Sequence, residues 1–122
     1  FSNPLHIKVQ IYVHDVLPES GEFAFVPGSH KPNSGPYPKV KRSKSMPGHK
    51  AFPSKAGTAI VFNSYGWHTS MDNHTNVARK SIILIYEKST PNRISPDTFA
   101  SIANYCQTQQ RRKLFGLEKY DT

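Results

Sequence analysis

The sequence of 122 residues has little of what several common classes of protein require. It contains a single cysteine, Cys106, so no internal disulfide can form and a disulfide framework is excluded. No stretch approaches the ~18 consecutive apolar residues that a transmembrane helix needs. The sequence also has no phosphate-binding glycine loop, no zinc-ligand spacing and no Ser-His-Asp arrangement. We therefore expect a cytoplasmic protein that does not bind a membrane.

Acidic residues are also scarce. Only 8 Asp and Glu stand against 16 Lys and Arg, which gives a net charge of +8 and favours anionic partners in general. Much of the positive charge falls in residues 31–55 and in the C-terminal tail. A nucleic-acid-binding module is one interpretation, but only Tyr37 and Phe52 supply aromatic rings between those basic residues, where single-strand binders stack bases. We expect solvated lysines and no nucleic-acid partner.

What the sequence does contain is a series of strand patterns. Apolar and polar residues alternate over residues 6–13, with Ile7, Val9 and Ile11 on one face and Lys8, Gln10 and Tyr12 on the other. Further strands are predicted at residues 22–26, 58–63 and 79–87, the last of them apolar enough to be buried on both faces. No helices separate these strands, so the pattern predicts antiparallel all-β packing.

Residues 29–57 interrupt the strands. They are rich in proline, glycine and lysine and predict a long irregular loop. Loops beyond about 12–15 residues are uncommon in compact domains and are usually functional or disordered. The basic part, residues 31–55, could cover the mouth of an active site or could be a solvated mobile loop.

A helix is predicted after the last strand. Ser95, Pro96 and Asp97 have the pattern of a helix start, with a capping residue, a proline in the first turn and an acid. An apolar stripe follows and Gly116 would end the helix; the stripe is Phe99, Ile102, Ala103 and Cys106. Cys106 on this stripe is expected to be a core residue and not a nucleophile.

Two polar residues could carry chemistry. His68 follows a strand and a glycine-containing turn, where a neutral imidazole can ligate a transition metal. Arg79 comes eleven residues later, at the head of an apolar strand, where a guanidinium suits a carboxylate. A turn between two antiparallel strands would bring them together, with Ser70 between. The alternatives are a surface histidine and an ordinary ion pair at Arg79.

An ordered set of motifs resembles one family. Residues 13–23 (VHDVLPESGEF) lead into residues 27–31 (PGSHK), and the strand after Gly57 leads into Trp67-His68-Thr69-Ser70, Asn73 and Arg79. The set is similar to the phytanoyl-CoA dioxygenase family of iron(II)/2-oxoglutarate oxygenases, over roughly residues 5–87.

The resemblance implies an all-β, double-stranded β-helix (jelly roll) that is incomplete and carries a C-terminal helix. Residues 1–90 would be the C-terminal half of the oxygenase domain, and residues 91–122 a helix and tail. The implied cofactors are iron(II) and the co-substrate 2-oxoglutarate, with ascorbate as a further one. His68 would be the metal ligand; Arg79, Ser70 and Gln10 would bind 2-oxoglutarate. The resemblance implies no catalytic residue within this chain. It implies a small organic substrate, which could be acidic or an acyl-CoA.

The sequence departs from the family in one respect. The family's metal site opens with His-x-Asp, and no His-x-Asp occurs here. His14 and Asp15 are adjacent, so on a strand they would point to opposite faces. The chain also starts at Phe1 and shows four or five strands where a jelly roll has eight. We therefore expect a fragment that binds iron poorly alone. The rival interpretation is a non-catalytic jelly roll that binds a small molecule or partner.

Overall fold

The computed structural model describes residues 6–88 and 96–118. The chain divides into two compact units, Phe1–Glu87 and Lys88–Thr122. In the described part of the chain, no helix is both long and apolar enough to cross a membrane.

The first unit is built from two small sheets of three strands each, and every strand pair is antiparallel. The predicted antiparallel all-β packing is confirmed at this level. One sheet has the order β4-β1-β6 and the other the order β3-β2-β5. The strands are β1 (His6–Tyr12), β2 (Phe23–Phe25), β3 (Lys50–Phe52), β4 (Ala59–Asn63), β5 (His68–Ser70) and β6 (Ser81–Glu87).

The core lies on the face of β1 that carries its polar residues. Tyr12 is 0% exposed and Gln10 is 4% exposed. Cross-strand partners share a face of the sheet, and the partners of Lys8 and Gln10 on β4 are Phe62 and Ile60. Both pack against the core cluster of Tyr12, Val16 and Phe23. The row of Lys8, Gln10 and Tyr12 therefore faces the interior of the unit.

The expectation that the last strand is buried on both faces is wrong. Ile83 and Ile85 are each 55% exposed on one face, and Ile82 and Leu84 are exposed on the other. The reason is the sheet order, since β6 is an edge strand that pairs with β1 alone in the described part of the chain. β6 is therefore an apolar strand whose two faces are not covered by other described residues.

Two short strands were not predicted. Residues 29–57 are irregular for most of their length but include β3, which pairs with β2. β5 pairs with the other edge of β2. Each has three residues and no run of β-branched or aromatic residues, so neither carries the alternation by which a strand is recognised.

Over residues 96–118, the second unit contains two helical segments and not the single helix that the sequence predicts. A 3₁₀ helix spans Pro96–Tyr105, with non-helical dihedral angles at Phe99, and α1 spans Gln109–Leu114. Thr108 caps α1, because its side chain accepts a hydrogen bond from the Arg111 backbone N–H. The predicted end at Gly116 (φ +67°) is confirmed, as is the burial of Cys106. Ser95 lies outside the described residues.

The hydroxyl of Tyr12 forms hydrogen bonds from one sheet to the other. Tyr12 Oη donates to the Phe52 carbonyl (3.1 Å) and accepts from the Phe23 backbone N–H (2.8 Å). Both partners belong to the sheet that Tyr12 does not belong to. Burial raises the pKa of Tyr12 above its ordinary value, so the phenol keeps its proton at neutral pH.

Replacing Tyr12 with Phe should lower the free energy of unfolding by about 1–3 kcal/mol, because the buried Phe23 N–H loses its acceptor. Urea denaturation at neutral pH measures the change. Tyr65→Phe is the matched control, since Tyr65 is 46% exposed. Equal stability losses in the two variants would contradict the role given to the buried hydroxyl.

Candidate functional site

One cavity of about 460 Å³ in the first unit collects the side chains of interest. Both sheets contribute to its lining, and so does the basic loop. His68, Ser70, Arg79 and Gln10, the four residues predicted for the site, all line it. The way they meet differs from the prediction, because β5 and β6 belong to different sheets and do not form a hairpin. His68 and Arg79 therefore line the same cavity from segments that belong to different sheets.

The guanidinium of Arg79 is held by two serines. Its Nη2 donates to Ser70 Oγ (2.7 Å) and its Nη1 donates to Ser81 Oγ (2.9 Å). Ser81 was not predicted, and only the topology that places it beside the cavity identifies it. Among the described residues no carboxylate pairs with Arg79, so the ordinary ion pair is not observed there. A fixed guanidinium with the rest of its five N–H donors available is suited to a carboxylate.

A glycine lets the preceding turn approach Arg79. Gly21 has φ +80°, and a Cβ there would lie 3.3 Å from the Asn73 Cβ and 3.7 Å from the Arg79 Cβ. The adjacent Ser20 forms a bridge with Asn73. The turn after β1 and the segment before β6 are therefore packed together at this end of the cavity.

The ring of His68 is fixed in one tautomer. Its Nδ1 lies 2.7 Å from the Gly66 carbonyl oxygen, which can only accept, so Nδ1 carries the proton. In the neutral imidazole this arrangement leaves the lone pair on Nε2, the atom that would then ligate a metal. Gly66 is required for the turn, since a Cβ there would lie 2.2 Å from the Phe25 ring. Ring contacts with Phe23 and Phe62 support the imidazole.

The register of the strands shows which cavity residues lie near each end of β1. Tyr12 is paired with Ser81, so Arg79 and Ser70 mark that end. Lys8 is paired with Phe62, whose ring centroid lies 5.0 Å from that of His68.

Gln10 stands between these ends. In the described part of the chain its buried Nε2 has no hydrogen-bond partner. An unsatisfied buried amide donor is unfavourable unless a ligand accepts from it.

The basic loop is tied over one side of the cavity. Asp72 accepts hydrogen bonds from the Ser43 hydroxyl and the Lys44 ammonium, and the Ser43 backbone N–H donates to Thr69 Oγ1 (3.3 Å). Residues 40–44 line the cavity as a result. This favours a loop that covers the mouth over a freely solvated one. Nothing in the sequence pattern singled out Asp72.

In the described part of the chain, the other histidines do not complete a metal site around His68. His14 is engaged by the Lys80 backbone N–H, and Asp15 bonds Lys55 and the Ala56 backbone. His49, which was not predicted, lines the same cavity as His68 with its Nδ1 on the Met46 carbonyl. Among the described residues, no three His, Cys, Asp or Glu side chains come together as a metal site. His68 is thus a single candidate ligand and not a complete site.

A second grouping resembles a hydrolase triad but lacks one of its parts. Ser64 Oγ contacts His6 Nδ1, and His6 Nε2 lies 3.1 Å from Glu87 Oε1. A nucleophilic serine needs free N–H donors for the developing oxyanion. The backbone N–H groups of Tyr65 and Gly66 are already bonded to Asn63. We therefore interpret these three side chains as structural contacts that hold the ends of β1, β4 and β6 together.

Arg79 and His68 thus line one cavity between two antiparallel sheets, the first suited to a carboxylate and the second to a transition metal. The family model for phytanoyl-CoA dioxygenase matches residues 1–81, and the chain belongs to this family of iron(II)/2-oxoglutarate oxygenases. Membership indicates a dioxygenase-type function in general. No curated protein matches the chain.

The loop anchor makes a prediction about pH. The Lys44 ammonium and then the Ser43 hydroxyl hold the pKa of Asp72 below its ordinary value. A depressed carboxyl pKa stabilises the fold above the ordinary value, about 3.9, and that contribution is lost as the pH falls through the folded value. The carboxyl carbon of Asp72, followed by NMR, should therefore titrate below pH ~3.9.

Lys44→Met should move this midpoint upward, because the largest cause of the shift is removed. Lys39→Met is the control, since it makes the same change of charge in the same loop outside the cavity lining. An unchanged midpoint in Lys44→Met would show that the loop is not anchored at Asp72.

Proposed function

We propose that this chain is part of an iron(II)/2-oxoglutarate-dependent dioxygenase that hydroxylates a small organic substrate. The observation that carries the proposal is that a carboxylate-binding group and a metal-binding group line the same cavity. Arg79 is oriented by Ser70 and Ser81, and His68 presents its Nε2 in the same space. One group suits a carboxylate and the other a transition metal, as a metal-chelating keto diacid requires.

Each residue then has a role in binding or orientation. Arg79 and Ser70 bind the distal carboxylate of 2-oxoglutarate, Gln10 donates to the body of the molecule, and His68 ligates iron. His68 and Ser70 lie two residues apart on one strand, about 6.6 Å by the rise of a strand. That separation suits a keto diacid with one end at the arginine and the other at the metal. Bound iron(II) and 2-oxoglutarate supply the oxidising chemistry for hydroxylation.

The sheet order supports the further proposal that these residues are the C-terminal part of a jelly roll. A jelly roll has eight strands in two sheets, and the described residues supply three strands to each. β5 and β6 are edge strands, and β6 is exposed on both faces. One further strand beside each would complete both sheets. The His-x-Asp ligands would then come from outside these 122 residues, since the sequence contains none.

The substrate proposed for this site is a small acidic molecule or an acyl-CoA. The cavity lining includes basic side chains from β1 and from the basic loop, and none of the described residues that line it is Asp or Glu. A cavity of one sign of charge raises the local concentration of ligands of the other sign. The chain's net charge of +8 acts in the same direction.

Replacing Arg79 with Met should weaken 2-oxoglutarate binding by about 10–100-fold, the effect of losing hydrogen bonds to a charged group worth ~1.5–3 kcal/mol. The sole tryptophan, Trp67, lines the cavity and its fluorescence reports the titration. Arg111→Met is the control, because it removes the same charge from the other unit. Wild-type affinity in Arg79→Met would end the proposed role.

The chain alone should bind Mn²⁺, a spectroscopic substitute for iron(II), only weakly. A single imidazole cannot enforce the two-histidine, one-carboxylate site that these oxygenases use. Electron paramagnetic resonance of free Mn²⁺ measures the binding, and His68→Asn should abolish it while His74→Asn, at an exposed position, should not. Tight binding that survives His68→Asn would contradict the assignment.

A further inference from the structure

Lys8 is a cation on the interior face of a sheet. Its cross-strand partners are Phe62 on β4 and Ile85 on β6, and its side chain lines the cavity. In the described part of the chain its ammonium has neither a hydrogen-bond partner nor an ion-pair partner. An ammonium that is half-buried beside apolar side chains, without a counter-ion among the described residues, is placed to bind an anion that enters the cavity.

The position of Lys8 separates it from the proposed co-substrate anchor. Arg79 lies at the end of the β1 row marked by Tyr12 and Ser81. Lys8 is four residues from Tyr12 along β1, about 13 Å at the rise of a strand. Through Phe62 it neighbours His68. A keto acid anchored at Arg79 therefore leaves the Lys8 end of the cavity for a second molecule.

The charge of the lining determines what that molecule can carry. Among the described residues, five Lys and Arg side chains line the cavity and no carboxylate does; they are Lys8, Lys41, Arg42, Lys44 and Arg79. Lys44 is neutralised by Asp72, and Lys41 and Arg42 are exposed on the loop. Lys8 differs from these loop residues because it is on a strand, half-buried, and faces the interior.

We propose that Lys8 is a specificity-determining residue that binds an oxyanion, carboxylate or phosphate, carried by the primary substrate close to its reacting carbon. The proposal rests on the proposed function only in naming this ligand a substrate. Lys8 selects those acidic molecules whose charge lies near the reaction centre, because it is placed at the His68 end of the cavity. An anion far from the reacting carbon would meet the loop lysines instead.

The test uses the full 122-residue chain with saturating 2-oxoglutarate and two probes, inorganic phosphate and acetate. Trp67 fluorescence reports each titration. Lys8→Met should weaken binding of at least one probe about tenfold, while leaving 2-oxoglutarate affinity unchanged. Lys8→Arg should retain most of the probe affinity, because the charge is kept. Lys39→Met, the control for net charge, should bind both probes as the wild type does.

Three results would overturn the proposal. In the first, the wild-type chain binds neither probe. In the second, Lys8→Met and Lys39→Met lose probe affinity equally, which would indicate the general electrostatic field of the protein. In the third, Lys8→Met weakens the binding of 2-oxoglutarate instead, which would place Lys8 in the co-substrate anchor.

A Lys8→Met variant that does not fold leaves the decision to Lys8→Arg and to Lys8→Gln. Loss of 2-oxoglutarate binding in the wild type alone would refute the proposed function while the probe titrations still decide on Lys8.

Discussion

The hydroxyl of Tyr12 joins two sheets that share no strand pairing. It accepts from the backbone of β2 and donates to the backbone of β3, while its own backbone belongs to the sheet of β4 and β6. Sheets that pack face to face are otherwise held by non-directional apolar contacts. A buried hydrogen bond with two partners fixes how one sheet lies over the other. The position of β5 relative to β1, and so of His68 relative to Gln10, depends on it.

Arg79 depends on the same arrangement. Its two serine partners come from opposite sheets, Ser70 from β5 and Ser81 from β6. The guanidinium is thus oriented only when both sheets are in register with each other. Orientation of a charged group by neighbours that are themselves fixed is what makes a binding site selective. The site is in this sense a product of the sheet packing and not of a local motif.

Residue pattern alone predicted the elements with strong alternation and missed those without it. β1 and β4 were predicted within one residue of their ends, because β-branched residues alternate in β1 and a short apolar run follows Gly57 in β4. β5 could not be predicted from His-Thr-Ser, since its stability as a strand comes from pairing with β2. The helix was predicted to be continuous from its apolar stripe, yet the 3₁₀ segment is kinked at Phe99 and ends at Tyr105, and α1 begins at Gln109.

The candidate site shows the same division. His68, Ser70, Arg79 and Gln10 were identified through family motifs, and the structure places all four in one cavity. Ser81, Asp72 and Lys8 were not identified, because their significance is a matter of which sheet face or loop they meet. Such neighbours are far apart in sequence, as Asp72 is from Ser43, and no local pattern links them. The roles in chemistry stay predictions until binding is measured.

In the described part of the chain β6 pairs on one side only, with β1, and this place at the edge of its sheet has a consequence for handling the molecule. An aliphatic edge strand can offer N–H and C=O groups to any other extended chain, including a second copy of itself. Electrostatic repulsion between molecules of net charge +8 opposes such stacking, and dissolved salt screens that repulsion. Colloidal behaviour of the isolated chain should therefore depend on ionic strength, with dilute buffer keeping copies apart and concentrated salt favouring ribbon-like assemblies.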